Sequence, residues 1–327
     1  MLYFISKTND PYFNLAMEEY LLKNYDDDFF ILYRNSPTLV IGKHQNTLAE
    51  INLEKAEEEN VKIIRRLSGG GTVFHDLQNL NYCFIKRGEA GKLVNFKAYS
   101  QPIIDCLQKL GVNAKFEGKS DLTIEGMKFS GNASHVYKNK VMQHGTMLFS
   151  SDLRRLNQLL KVNPLKFKDR GVRSIRSRVT NIADFLPTPL NIDQFSDHII
   201  AQITQVFPEA KYFELSEYDK EEIQELISTK YGNWEWNFGY SPKYEFEKLT
   251  NYSNGAVLEI SMHIEKGYIK EVSINGNCIN RESVLKLESI IKNSVHDKIT
   301  ILEILNSNKE NYYFKNITNN QAILAFF

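Results

Sequence analysis

The sequence predicts an α/β protein built as one large domain followed by a smaller one. Three observations carry that reading. Helical and strand patterns alternate along the chain, 327 residues exceed the usual span of one domain, and composition shifts at "GNWEWNFGYSP". There Trp234 and Trp236 fall beside two glycines and a proline, which suits a docked connection better than a floppy linker. The domains are therefore placed at 1–245 and 246–327. An apolar fraction of 42% and an aromatic fraction of 12% suffice for a core and exclude global disorder. Forty basic residues balance forty acidic ones, so no whole-molecule field favours nucleic acid or an anionic membrane, and any anion site must be local. The apolar stretch in "MLYFISKTNDP" is too short for a signal sequence, and nowhere do about 18 apolar residues run together. Cys83, Cys106 and Cys278 are odd in number and far apart, without a CxxC pair. A soluble cytoplasmic protein is expected.

The elements follow in order. Asp10-Pro11 reads as an N-cap with proline in the first helical position, and Phe13, Ala16, Met17, Tyr20 and Leu21 recur at helical spacing opposite Glu18, Glu19 and Lys23. An amphipathic helix is predicted. "FFILYRN" and "PTLVIGK" are strands around a Ser36-Pro37 turn, "NLEKAEEEN" is a polar helix, and "VKIIRR" is a strand running into Gly69-Gly70-Gly71. "NYCFIKR" is a further strand; a helix over 96–110 ends at Gly111, with Pro102 predicting a kink or a late start. The stretch from Ser120 to Ser150 has β character, with turns at Glu125-Gly126 and Lys138-Asn139-Lys140. Residues 152–161, 191–206 and 219–230 read as helices. In the smaller domain "AVLEISMHIE" and "YIKEVSING" are antiparallel strands and "RESVLKLESIIKN" is a helix, followed by "KITILEIL" and "NQAILAFF".

Chemistry concentrates in two stretches. In "RRLSGGGTVFHD" the glycines let backbone N–H groups approach a ligand, while Arg65 and Arg66 add forked cationic donors suited to phosphate. No Gly-Lys-Ser/Thr follows, so this is not a Walker A loop, and the Gly-x-Gly-x-x-Gly spacing is absent. A tight turn beside solvated arginines accounts for the same residues. In "EGMKFSGNASH" Lys128 precedes a small-residue loop, Ser130-Gly131-Asn132-Ala133, and "QHGTMLF" adds His144. A solvated lysine and a satisfied strand histidine are the plain alternatives.

Together with "NLAMEEYLL" and "LVIGKHQN", these segments resemble lipoate–protein ligases in content, order and spacing, strongly to about residue 150 and more loosely through "WNFGYSPKYEFE". The resemblance implies a mixed-sheet catalytic domain, related to that of biotin–protein ligases, with a small α/β accessory domain. It also implies a two-step acyl transfer: lipoate or octanoate is activated by ATP to an acyl-adenylate with release of pyrophosphate, then passed to a lysine of a lipoyl domain of 2-oxoacid dehydrogenase complexes or of the glycine-cleavage carrier protein. Lys128 is the implied catalytic residue, bridging carboxylate and α-phosphate. Arg66, Gly71, Thr72, Val73 and Phe74 match the nucleotide segment; Arg65, Ser68, Gly70 and His75, with Met17, fall on the acyl side. Asp121 is the implied magnesium ligand. The implied enzyme works as a monomer, without nucleic acid or membrane.

Two positions depart from the family pattern. Lys119-Ser120-Asp121 lacks the usual asparagine, and Gln78 replaces a glycine; a positive φ would be strained there, so a changed turn or a slower rate is expected. Among rivals, an octanoyltransferase needs a nucleophilic cysteine near the Lys128 loop, and none lies between Lys115 and Ser151. A biotin ligase would carry a different loop, and a non-catalytic lipoate-binding relative would have no need of Lys128.

Overall fold

The computed structural model describes residues 1–89, 91, 93–160, 166–175, 177–307 and 312–327. The chain forms two units: Met1–Lys43, Glu54–Leu160 and Arg173–Asn233 make the first, while His44–Leu53, Lys161–Val172 and Trp234–Phe327 make the second. Up to the glycines the elements are β1 (Leu2–Ile5), α1 (Pro11–Asn24), β2 (Phe29–Tyr33), β3 (Thr38–Ile41), α2 (Thr47–Glu50), α3 (Leu53–Glu58) and β4 (Lys62–Arg65). Next come β5 (Val73–His75), β6 (Asn79–Arg87), α4 (Phe96–Lys109), β7 (Ala114–Glu117), β8 (Asp121–Ile124), β9 (Met127–Tyr137), β10 (Lys140–Leu148) and α5 (Leu153–Leu159). Then follow β11 (Phe167–Asp169), α6 (Ile192–Val206), β12 (Lys211–Tyr212) and α7 (Glu217–Leu226). The chain closes with β13 (Tyr244–Asn251), β14 (Val257–Glu265), β15 (Tyr268–Gly276), α8 (Arg281–Ile291), α9 (Lys298–Asn306) and α10 (Asn319–Ala322).

The first unit holds an eight-stranded sheet in the order β12-β1-β2-β6-β10-β9-β8-β7. β1 pairs in parallel with β12 and β2, and the remaining pairs are antiparallel, so the sheet is mixed as expected. A second sheet, β4-β3-β5, joins β3 to β4 in parallel and to β5 antiparallel. One face of the large sheet packs Phe30, Leu32, Phe84 and Phe129 against Ile103 and Leu107 of α4 and Phe195, Ile199 and Ile203 of α6. Both helices have their apolar residues at helical spacing and asparagine N-caps, Asn95 and Asn191, which accept from Ala98 N and Gln194 N. α4 runs through Pro102 without a late start. The second unit is an antiparallel sheet, β11-β13-β14-β15, whose Phe246, Leu258, Ile260 and Ile274 pack on Val284 and Leu287 of α8 and Ile301 of α9.

Local expectations can be checked element by element. Glu125 and Gly126 take φ values of 51° and 73°, the pair of left-handed residues that a tight hairpin turn requires. "KITILEIL" and "NQAILAFF" are helical, and the helix read at 219–230 begins at Glu217 and passes into a π-helical turn at Ile227–Tyr231. The helix read at 152–161 is α5, with residue 161 outside the described residues. One expectation fails. α1 is not amphipathic: Leu15 through Leu22 are all buried, including Glu18 and Glu19, because each carboxylate has partners inside the unit. Of the outcomes open at Gln78, the changed turn fits: the residue is absent from those with positive φ, and its N–H donates to Asp76 Oδ1 at 2.9 Å in a side-chain-mediated turn.

Candidate active site

The glycine loop is built by Arg66. β4 delivers the arginine into the interior, where it is 5% exposed, and its N–H donates to Ile41 O (2.9 Å) while Lys43 N–H donates to Ser68 O (2.8 Å). The guanidinium then spends four of its five N–H donors on the loop and its neighbours: Nε on Ser68 Oγ (3.0 Å), Nη1 on Val40 O (3.0 Å), and Nη2 on Gly69 O (2.6 Å) and Gly71 O (2.7 Å). Burial pulls its pKa down to about 10. Every peptide here is trans, so a carbonyl and the next residue's N–H point in opposite directions. Drawing the Gly69 and Gly71 carbonyls onto the arginine therefore turns the N–H of Gly70 outward and aims that of Thr72 at Ser174 Oγ, 2.9 Å away. Gly70 sits at φ +88°, and a Cβ there would stand 3.0 Å from Arg66 Nη2, so both backbone and space call for glycine.

Lys128 lies on β9 opposite Thr123 of β8, and the register slips between Leu122 and Thr123, making Phe129 an extra residue in the strand. The bulge brings Gly131 beside the lysine: a Cβ on Gly131 would meet Lys128 Cε and Nζ at 3.0 Å. Asp121, directly across from Gly131, pairs with Lys128 Nζ at 2.9 Å. The two motifs meet where a Cβ on Gly70 would come within 3.9 Å of Ala133 Cβ. β10 backs the region; a side chain on Gly145 would collide with the Tyr82 ring at 2.7 Å, and Tyr82 Oη donates to Asn132 Oδ1.

The predicted residues thus divide. Arg66, Ser68, Gly70, Gly71 and Thr72 form one connected loop, and Lys128 pairs with Asp121 on the neighbouring strands. Arg65 is fully buried, and Nη1 donates to the Gly42 and Lys43 carbonyls. Val73 and Phe74 are strand residues of β5, with Arg155 stacked 5.5 Å from the Phe74 ring. Met17 is wholly buried in α1. His75 is 3% exposed; Asn35 Nδ2 lies 3.0 Å from its Nδ1, and its Nε2 has no hydrogen-bond partner. Burial, then the charges of Arg66 and His144, push its pKa down to about 3, so the ring is neutral and Nε2 carries the proton.

Sequence reasoning missed two parts of this site. Ser174, Arg178 and Thr180 join its halves: Ser174 Oγ accepts from Thr72 N–H at 2.9 Å, while Arg178 O accepts from Lys128 N–H and Thr180 N–H donates to Lys128 O, each at 2.9 Å. The serine and arginine cluster "RSIRSRVT" was the available signal. The second is Glu18, whose carboxylate faces Tyr33 and His144; an acidic pair interrupting an apolar helical run was the hint.

This arrangement of a mixed sheet, a glycine loop after a strand and a lysine on a bulged strand has relatives. The model of the lipoyl protein ligase A/B catalytic domain matches residues 10–204, and that of the bacterial lipoate protein ligase C-terminus matches 241–326. Lipoate–protein ligase 1 of Staphylococcus aureus is 39% identical over 324 residues, 98% of each chain. Among solved structures, Plasmodium falciparum LipL1 in complex with lipoate aligns at a TM-score of 0.63 and 23% identity over 95% of each chain. An ATP-bound lipoate-protein ligase A aligns at 0.62 and 23% identity, over 73% of this chain and 98% of its own. The chain belongs to the lipoate–protein ligase family.

Proposed function

We propose that this enzyme activates lipoate or octanoate with ATP and transfers the acyl group to a lysine of a lipoyl domain or of the glycine-cleavage carrier protein. The observation that carries the reading is the meeting of the Arg66-built glycine loop, with Gly70 N–H turned outward, and the strand that bears Lys128. A carboxylate oxygen must attack the α-phosphorus while pyrophosphate leaves, and the two anions repel unless fixed donors and a cation hold them together. Gly70 N–H is the backbone donor, since Thr72 N–H is already given to Ser174 Oγ. Arg66 builds the cradle and keeps one N–H for a phosphate oxygen. Lys128 bridges carboxylate and phosphate in the first half-reaction. In the second it polarises the acyl carbonyl as the acceptor amine attacks, AMP departs and the amine's proton is lost to solvent.

Magnesium fits as an ion carried in on the nucleotide. Asp121 supplies one carboxylate, and among the described residues no group of three or more His, Cys, Asp or Glu side chains is placed to hold a metal by itself. Bound there, the ion would screen the phosphate charge. Lipoate's chain would enter among Met17, Ser68 and His75. A thiol route is disfavoured: Cys83, Cys106 and Cys278 are all buried, and burial raises the Cys83 pKa well above its ordinary value. Residues 1–245 are assigned the chemistry and 246–327 an accessory role, supported by the matches at 10–204 and 241–326. The cytoplasm and a monomeric state complete the proposal; no helix among the described residues is long and apolar enough to cross a membrane.

The decisive experiment is exchange of labelled pyrophosphate into ATP, followed by addition of a lipoyl domain. Exchange that depends on lipoate or octanoate, with subsequent acylation of the domain, supports the reading. No exchange with either acid would favour a binding protein, and acylation from a carrier-bound donor without ATP would favour a transferase.

A further inference from the structure

Behind the glycine loop runs a buried chain of hydrogen bonds. Tyr33 Oη donates to Glu18 Oε1 (3.0 Å), His144 Nδ1 lies 2.7 Å from Glu18 Oε2, and His144 Nε2 lies 2.5 Å from Ser68 Oγ, which also accepts from Arg66 Nε at 3.0 Å. Glu18, Ser68 and His144 are all buried. Donor chemistry fixes both ends of the chain. A guanidinium only donates, so Ser68 Oγ accepts from Arg66 Nε and shares its remaining hydrogen-bonding capacity with His144 Nε2. A carboxylate only accepts, so His144 Nδ1 donates to Glu18. The imidazole is thus oriented by a carboxylate behind it and presents Nε2 to Ser68. Ser68 in turn presents one lone pair to the arginine.

The arginine is the other end of the same lever. Its Nη2 holds the two carbonyls that turn Gly70 N–H outward and aim Thr72 N–H at Ser174 Oγ. We propose that His144 is a positioning residue for the nucleotide: acting through Ser68 and Arg66, it fixes the direction in which the glycine loop presents its N–H groups. The proposal rests on the adenylating function above. The Ser68–His144–Glu18 order is also that of acyl-transfer triads. Here the serine is completely buried and its oxygen is already engaged by the guanidinium, which suits a tie and not a nucleophile.

The test uses the full chain, with ATP affinity measured by titration calorimetry and the KM for lipoate by pyrophosphate exchange. His144→Leu should weaken ATP binding by about tenfold or more, the scale of a lost buried polar link, while the lipoate KM moves less than about threefold. His144→Gln, which keeps an amide able to donate or accept near the Nε2 position, should recover most of the loss. Should His144→Leu fail to fold by circular dichroism, Ser68→Ala carries the test, since it cuts the link to Arg66 while leaving the Glu18–His144 pair intact; ATP affinity should fall similarly. Unchanged ATP affinity in either folded variant overturns the proposal, as does a loss confined to lipoate. So does hydrolysis of p-nitrophenyl octanoate by the wild type that disappears in Ser68→Ala, because Ser68 would then be a nucleophile. Failure of wild-type exchange with both acids sinks the parent reading as well, and is told apart by needing no variant.

Discussion

Two buried histidines, one in each unit, meet opposite conditions. In the C-terminal unit His296 is 1% exposed, with Tyr244 Oη 2.6 Å from Nδ1 and Phe326 O 2.7 Å from Nε2, so both ring nitrogens are matched within the fold. In the first unit His75 is equally buried, yet only Nδ1 has a partner and Nε2 has none. A histidine that serves packing closes its own polar account. One that stands beside a site keeps a donor for something else. The contrast extends to the surroundings: His296 lies against Phe246 and Phe327, aromatic side chains of the C-terminal apolar cluster, whereas the wall behind the glycine loop buries Glu18, Arg65, Arg66, Ser68 and His144. Burying charge is costly unless each group is paired and hydrogen-bonded. The polar wall is therefore expected to govern turnover, and the apolar core stability.

The largest effect expected is at Lys128. Lys128→Ala removes the ammonium paired with Asp121 beside the loop, and adenylate formation should fall at least about a hundredfold with the fold intact, the scale of losing a preorganised charged contact. Pyrophosphate exchange and circular dichroism on the same sample check both halves. Wild-type turnover would take lysine out of the mechanism. Gly70→Ala comes next. Its φ of +88° and the Arg66 contact at 3.0 Å force either strain or a turned peptide, so ATP affinity should weaken about tenfold, the equivalent of the 1–2 kcal/mol that a left-handed alanine costs. Unaltered calorimetric affinity would mean the loop does not need its observed shape.

On the packing side, His296→Phe strands the Tyr244 hydroxyl and the Phe326 carbonyl in an apolar core, a loss of about 1–3 kcal/mol in unfolding free energy. Exchange activity per folded molecule should be unchanged, and a large fall in activity at a temperature where the variant is folded would break the division of labour. Titration offers a second view. Burial lowers the His296 pKa from 6.5 to about 4, so as pH falls below 6.5 the unfolded chain takes up a proton that the folded unit refuses. Its contribution is complete above about 6.5 and is lost progressively as the pH falls towards 4. In His296→Phe, thermal stability should depend less steeply on pH across that window; an identical slope would show that other groups set it.

The same contrast explains what could be read in advance. The alternation of elements, the glycine loop and Lys128 are local signals: strand periodicity, side-chain-free positions and a cation beside small residues all lie within short windows. The polar wall is not local. Glu18 meets His144 across 126 positions and Thr72 meets Ser174 across 102, so no periodicity links them. α1 was misjudged for that reason: Glu18 and Glu19 look like a solvent face until their distant partners, Tyr33 and His144 for one and Lys23, Lys230 and Tyr231 for the other, are brought to them.

Gln78 gives the smallest effect and the cleanest sign. Read from the family pattern, glutamine occupies a glycine position and should be strained, so restoring glycine should stabilise the protein. The structure places Gln78 outside the left-handed region, with its N–H on Asp76 and its carbonyl accepting from Phe149 N–H and Ser150 N–H, each at 3.2 Å. A residue that already fits its backbone gains nothing from glycine, which only adds freedom to the unfolded chain. Gln78→Gly should therefore lower unfolding free energy by about 0.4–1 kcal/mol. Denaturant unfolding resolves that sign, and a stabilised variant would place the turn at positive φ and restore the strained reading of the loop leading away from His75.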